Sequence, residues 1–208
     1  MQILRRFGVF AAATFVAAGA CGGGGEHMPA EPAEEPMTQD SAAKASEFPL
    51  GGGTATEVHP GAGGSPHVAV DWMVGGATIS ITYGRPYLKD RVVGESVEPM
   101  QDRVWRLGAD EATTLVTDKD LMIDGTHIPA GEYTLWTRYV EDEMQLIVNT
   151  ETGQWGTAYN SDHDMAYIPL AVTELDPPAE QLVITVTEEQ FGFEWGHVAA
   201  TASLMVHS

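Results

Sequence analysis

From Val68 onward, hydrophobic and polar positions alternate along most of the chain with the period of a strand, not of a helix. Ala77, Ile79, Ile81 and Tyr83 fall on one side, Thr78, Ser80 and Thr82 on the other, as in a half-buried strand. Val68 to Met73 predicts a strand before it, and Trp105 to Leu107 and Thr113 to Val116 predict two after it. Leu121 and Ile123 lead into Asp124 and Gly125, a dipeptide that favours a tight hairpin turn. Glu132, Thr134, Trp136 and Arg138 then alternate with Tyr133, Leu135, Thr137 and Tyr139. Glu141, Asp142 and Glu143 turn the chain, and Met144, Leu146 and Val148 return antiparallel. Ile168 to Thr173, Leu182 to Val186, Phe191 to Trp195 and Val198 to Val206 supply the remaining strands. No window keeps a helical period, and there is no internal repeat. About nine short strands with frequent turns predict an all-β domain over residues 68–208, an antiparallel β-sandwich of jelly-roll type with a closed barrel as the alternative.

The pattern breaks in two places inside that domain. Gly84, Arg85 and Pro86 end the strand at Tyr83, because proline removes a ladder donor and biases the residue before it to an extended backbone. Arg85, Tyr87, Lys89 and Arg91 then ride on an irregular segment before the chain re-enters near Val104. The second break, Asn149 to Ala166, is rich in Gly, Asn, Asp and aromatic residues and carries Trp155 and Tyr159. Irregular segments held by flanking strands are common places for binding.

Before Val68 the pattern is different. Arg5 and Arg6 precede an apolar stretch, Phe7 to Ala18, that is too short to span a bilayer, so residues 1–20 read as an export signal. Ala18, Gly19 and Ala20 before Cys21 resemble a lipobox, which implies cleavage and acylation at Cys21 and a membrane anchor that does not cross the bilayer. Cys21 is the only cysteine, so an intramolecular disulfide is impossible. Residues 21–67, with Pro29, Pro32, Pro36 and glycines at 51–53, 61, 63 and 64, read as a flexible acidic tether that cannot offset its ordering entropy.

Charge sharpens the first break. Ten Lys and Arg stand against thirty Asp and Glu, for a net charge of −20. Five of the ten, Arg85, Lys89, Arg91, Arg103 and Arg106, lie in the window from Ala77 to Thr117. So acidic a molecule repels nucleic acid, which excludes that class of partner. The clustered cations either pair with Asp90, Glu95, Glu98, Asp102, Asp110 and Glu111 or face an anion. Arg85 and Arg106, each beside aromatic residues on which a guanidinium can stack, are the best placed to escape pairing. Most aromatic residues of such a fold are core; Tyr87, Trp155 and Tyr159, on irregular segments, are the candidates for a binding platform.

Five blocks, YGRPYLKDR, VWRLGADEATTL, IPAGEYTLWT, LIVNTETGQWGTAYN and IPL, occur in this order. Together they resemble the successive blocks of a bacterial envelope family known as domain of unknown function 2911, over roughly residues 68 to 206. The resemblance implies a domain and no particular reaction.

Candidate chemistry adds little. Asn160, Ser161, Asp162, His163 and Asp164 offer oxygen ligands and one imidazole, but the spacing is not that of a calcium loop, and turn formation by Asn and Asp explains the string. The other histidines, His59 and His67 among them, show no local pattern. No nucleophile elbow, zinc-protease motif or phosphate loop is present, so no metal or cofactor is expected. The expectation is a membrane-anchored envelope domain that binds a small anionic or sugar-like ligand, or an envelope partner, without catalysis. Its site would be Arg85, Tyr87, Lys89, Arg91, Arg106, Trp155 and Tyr159. The alternatives are a hydrolase or isomerase using the same cations on an envelope substrate, and a scaffold without a ligand.

Overall fold

The computed structural model describes residues 47–207. The export signal, Cys21 and the tether up to residue 46 lie outside the described residues. Among those described there are twelve strands, two 3₁₀ turns and no α-helix. In chain order the strands are β1 (Glu47–Leu50), β2 (Gly53–His59), β3 (His67–Val74), β4 (Ala77–Gly84), β5 (Val104–Trp105) and β6 (Thr113–Thr117). They continue with β7 (Leu121–Ile123), β8 (Thr126–Ile128), β9 (Gly131–Val140), β10 (Glu143–Asn149), β11 (Asp164–Val186) and β12 (Gln190–Val206).

The fold is antiparallel all-β. Hydrogen bonds run along one path, β1-β2-β3-β4-β6-β9-β10-β11-β12-β7-β8, with β5 added beside β9. The alternating positions decide which face is inside. Ile79, Ile81 and Tyr83 of β4 meet Val70 and Trp72 of β3, Leu135 of β9, Leu146 of β10, Ile184 of β11 and Phe193 of β12 in one buried cluster. The outer face of β9 and β10 is also covered in part: Trp136 and Ile147 are buried with Ala112 beneath Tyr159. Beyond β4 the chain pairs with the middle of β11, where the Leu88 amide donates to the Glu180 carbonyl and the Leu182 amide to that of Pro86. The path thereby folds over its own core.

Two expectations require correction. The segment up to residue 67 was expected to be tether, yet β1 and β2 form a hairpin within it, packed on the domain. Gly51 and Gly52 adopt φ of 58° and 85° and make the turn, and the Gly51 carbonyl accepts a 2.8 Å bond from the Trp72 indole. The glycines that suggested a spacer serve a turn that only a residue tolerant of positive φ can make. The strand boundaries also differ. Ile168–Thr173 and Leu182–Val186 are ends of one strand, β11, and Phe191–Trp195 and Val198–Val206 are ends of β12. Register shifts between Glu174 and Val183 let this long pair bend without ending.

Candidate functional site

The segment after β4 builds a hollow of about 500 Å³ whose wall includes Tyr87, Lys89, Arg91, Glu98, Arg106, Asp110, Trp105 and Trp195. Four of the seven expected residues, Tyr87, Lys89, Arg91 and Arg106, come together here. Bonds from the Arg91 guanidinium to the carbonyls of Leu88 and Tyr87 curl the 87–91 segment on itself. The Lys89 amide bonds Glu180 Oε1 at 2.9 Å, which ties the segment to β11 and leaves the ammonium exposed on the rim.

Arg106 follows the short strand β5 and is half-buried. Its Nε has no hydrogen-bond partner. Burial, the largest influence, pushes the guanidinium below its ordinary pKa, opposed by the negative charges of Asp110, Glu98 and Glu111. The two carboxylates on the wall are already engaged. Glu98 accepts from Arg103 Nε at 3.0 Å and from the Met100 amide at 2.8 Å, and Asp110 Oδ2 accepts from the Ala62 amide at 2.7 Å. Of the five clustered cations, only Arg103 forms an ion pair with an acid among the described residues.

Three expected residues lie elsewhere. Arg85 is half-buried and donates from Nε to the Leu182 carbonyl at 3.0 Å, strapping the end of β4 to β11. Trp155 is 48 % exposed, bridged to Glu111 and absent from the wall. Its neighbour Gly156 donates its amide to the Asp110 carbonyl at 3.0 Å and packs against Arg106. Tyr159 covers Trp136 at 5.0 Å between ring centroids and donates its hydroxyl to Asp164; burial, with that bond and the Asp164 charge, drives its pKa far above the usual phenol range. The string at 160–164 is a turn: Asn160 caps the 3₁₀ segment Ser161–His163, and Asp164 binds Asn149 Nδ2 at 2.8 Å.

Sequence reasoning missed a neighbouring cluster. His67, at the start of β3 and 2 % exposed, stacks on His59 at the end of β2 with ring centroids 4.2 Å apart. His67 Nε2 lies 2.8 Å from Glu111 Oε2, and His59 Nε2 lies 3.8 Å from Glu111 Oε1. Burial lowers the His67 pKa, with the Glu111 carboxylate opposing. The cluster opens on a second hollow of about 250 Å³. The two histidines lie eight residues apart on neighbouring strands, within what read as tether. An alternating TATEVH run before the glycines was the one signal that could have placed His59 in a sheet.

A family model described as "Protein of unknown function (DUF2911)" matches residues 65–204. No curated protein and no solved structure matches the chain.

Proposed function

We propose a function for a chain that belongs to the DUF2911 family, a description that carries no activity: the domain binds a small, hydroxylated anion such as a sugar acid in the hollow beside β5, without catalysis. The observation that carries this reading is that Lys89, Arg91 and Arg106 share one wall with Tyr87, and none of the three cations is held by an acid at ion-pair distance among the described residues. Guanidinium groups bind carboxylates through paired donors, and an ammonium follows as a mobile point charge. Tyr87, 40 % exposed, supplies an apolar face on which a sugar ring packs, above a floor closed by the buried Trp105 and Trp195. Glu98 and Asp110, each already accepting protein hydrogen bonds, fit acceptors for ligand hydroxyls better than proton-transfer groups, which favours binding over hydrolysis.

The test is a thermal shift of the full chain with glucuronate, galacturonate, inorganic phosphate and glucose. At about ten times its dissociation constant, a bound ligand stabilises by about 1.4 kcal/mol, or roughly 3–6 °C for a domain of this size. Glucuronate or galacturonate is expected to give that shift and glucose none. The shift should vanish in a Lys89→Ala, Arg91→Ala double variant, whose positions are both exposed. An equal shift in the double variant defeats the proposal.

The same reading holds the domain at a membrane through lipid on Cys21, on the strength of the lipobox-like Ala18, Gly19 and Ala20 before it. A Cys21→Ser variant is expected to leave the membrane fraction for the soluble one; continued recovery with membranes would remove the anchor from the proposal.

A further inference from the structure

Seven buried side-chain polar atoms lack a hydrogen-bond partner among the described residues. Four of them, both ring nitrogens of His67, Glu111 Oε2 and Gln154 Oε1, belong to residues lining the smaller hollow. Protein interiors pair nearly all such atoms, so a concentration of orphans in one place points to something that binds there. His67 Nε2 and Glu111 Oε2 are 2.8 Å apart yet not aligned as donor and acceptor. One ligand atom each from His59, His67 and Glu111 falls within 4.8 Å of the others. Atoms bound to one ion at about 2.0–2.3 Å can be no more than about 4.6 Å apart, so a small closing movement brings all three onto one centre.

We propose that His59, His67 and Glu111 bind one divalent transition-metal ion of the zinc class beside this hollow. Two imidazoles and a carboxylate suit zinc or ferrous iron better than calcium or magnesium, which take oxygen ligands almost alone. Three protein ligands leave at least one coordination position for a small exchangeable molecule, and Thr82, Thr114 and Gln154 line the space around it. The second nitrogen of His67, Nδ1, lies 4.0 Å from Asp110 Oδ2, too far for a hydrogen bond, so that carboxylate acts on the imidazole through its charge alone. His59 carries a cost. Its Nδ1 accepts the Gly61 amide at 3.1 Å, which places the ring proton on Nε2. Coordination through Nε2 moves that proton to Nδ1 and displaces the amide. The adjoining turn, Ala62–Gly64, which lines the cationic hollow, shifts with it.

This inference does not rest on the anion reading, and its test does not use an organic ligand. The full chain in detergent, stripped with chelator, is titrated with Zn²⁺ by calorimetry and with Co²⁺ by visible absorption. One ion per chain is expected, with Co²⁺ bands that report nitrogen and oxygen ligands. His59→Ala and Glu111→Gln, both at partly exposed positions, should each weaken binding at least tenfold while keeping the wild-type circular dichroism. His127→Ala, on the far β8 strand beside Asp120, should leave binding unchanged. Failure to bind Zn²⁺, Co²⁺ or Fe²⁺ overturns the site. Wild-type affinity in both His59→Ala and Glu111→Gln overturns it too, as does loss of binding through His127→Ala alone.

Discussion

At position 156 the chain has no side chain because Arg106 fills the space one would need. A Cβ there would overlap Arg106 Cδ and the Asp110 carbonyl oxygen. The glycine lets the irregular 149–166 segment press directly against the half-buried guanidinium and, through its amide, against Asp110. That contact limits where Arg106 can point. A half-buried cation whose buried Nε has no partner is costly to hold, and an incoming carboxylate would lower the cost. Gly156→Ala forces either the guanidinium or the Asp110 backbone to move. It is expected to destabilise the domain by about 1–3 kcal/mol, as overpacking does, read as a lower urea midpoint at unchanged slope. The glucuronate shift should be lost with it. An unchanged midpoint would show that the contact is slack and that Arg106 is positioned by something else.

Elements differ in how plainly the sequence announces them, and the difference follows from where their partners lie. β4 is legible because its inward residues, Ile79, Ile81 and Tyr83, and its outward ones, Thr78, Ser80 and Thr82, state the burial of each face locally. The two tight hairpins are legible because positive φ at Asp124 and Gly125, and at Asp142 after Glu141, falls on residue types that suit turns. β1 and β2 are not, since their packing comes from Trp72 and from the end of β11, more than a hundred residues away. Gly51 and Gly52 look the same in a turn as in a linker. β11 is illegible as one strand for a related reason: its pairing with β12 breaks after Glu174 and resumes, with a register shift, at Ala179, which carries it past Asp176 and Pro177. The site divides in the same way. Charge clustering announces that cations leave β4 on an irregular segment, but not that Arg85 turns to the Leu182 carbonyl while Arg91 and Arg106 turn to the hollow. His59 and His67 are brought together by a strand pairing hidden in a segment of linker composition.

The whole molecule works against the ligand proposed for it. An anion approaching from solution meets a chain of net charge −20 before it meets the wall of Lys89, Arg91 and Arg106. The two fields have different ranges. At about 0.01 M salt the screening length is roughly 30 Å, so charges over the entire surface repel the ligand. At about 0.15 M it is roughly 8 Å, and most of that repulsion is lost while contacts inside the hollow persist. Ordinary ion pairing between a basic site and an anion weakens as salt rises. Here the long-range field has the opposite sign to the local one, so the usual trend should flatten or reverse. Glucuronate is therefore expected to bind as tightly in about 0.15 M sodium chloride as in about 0.01 M, or a few-fold more tightly. Titration calorimetry at the two concentrations reads the sign directly. A tenfold loss of affinity on adding salt would mean that the local cations dominate at every range and that the acidic surface has no part in setting what reaches the hollow.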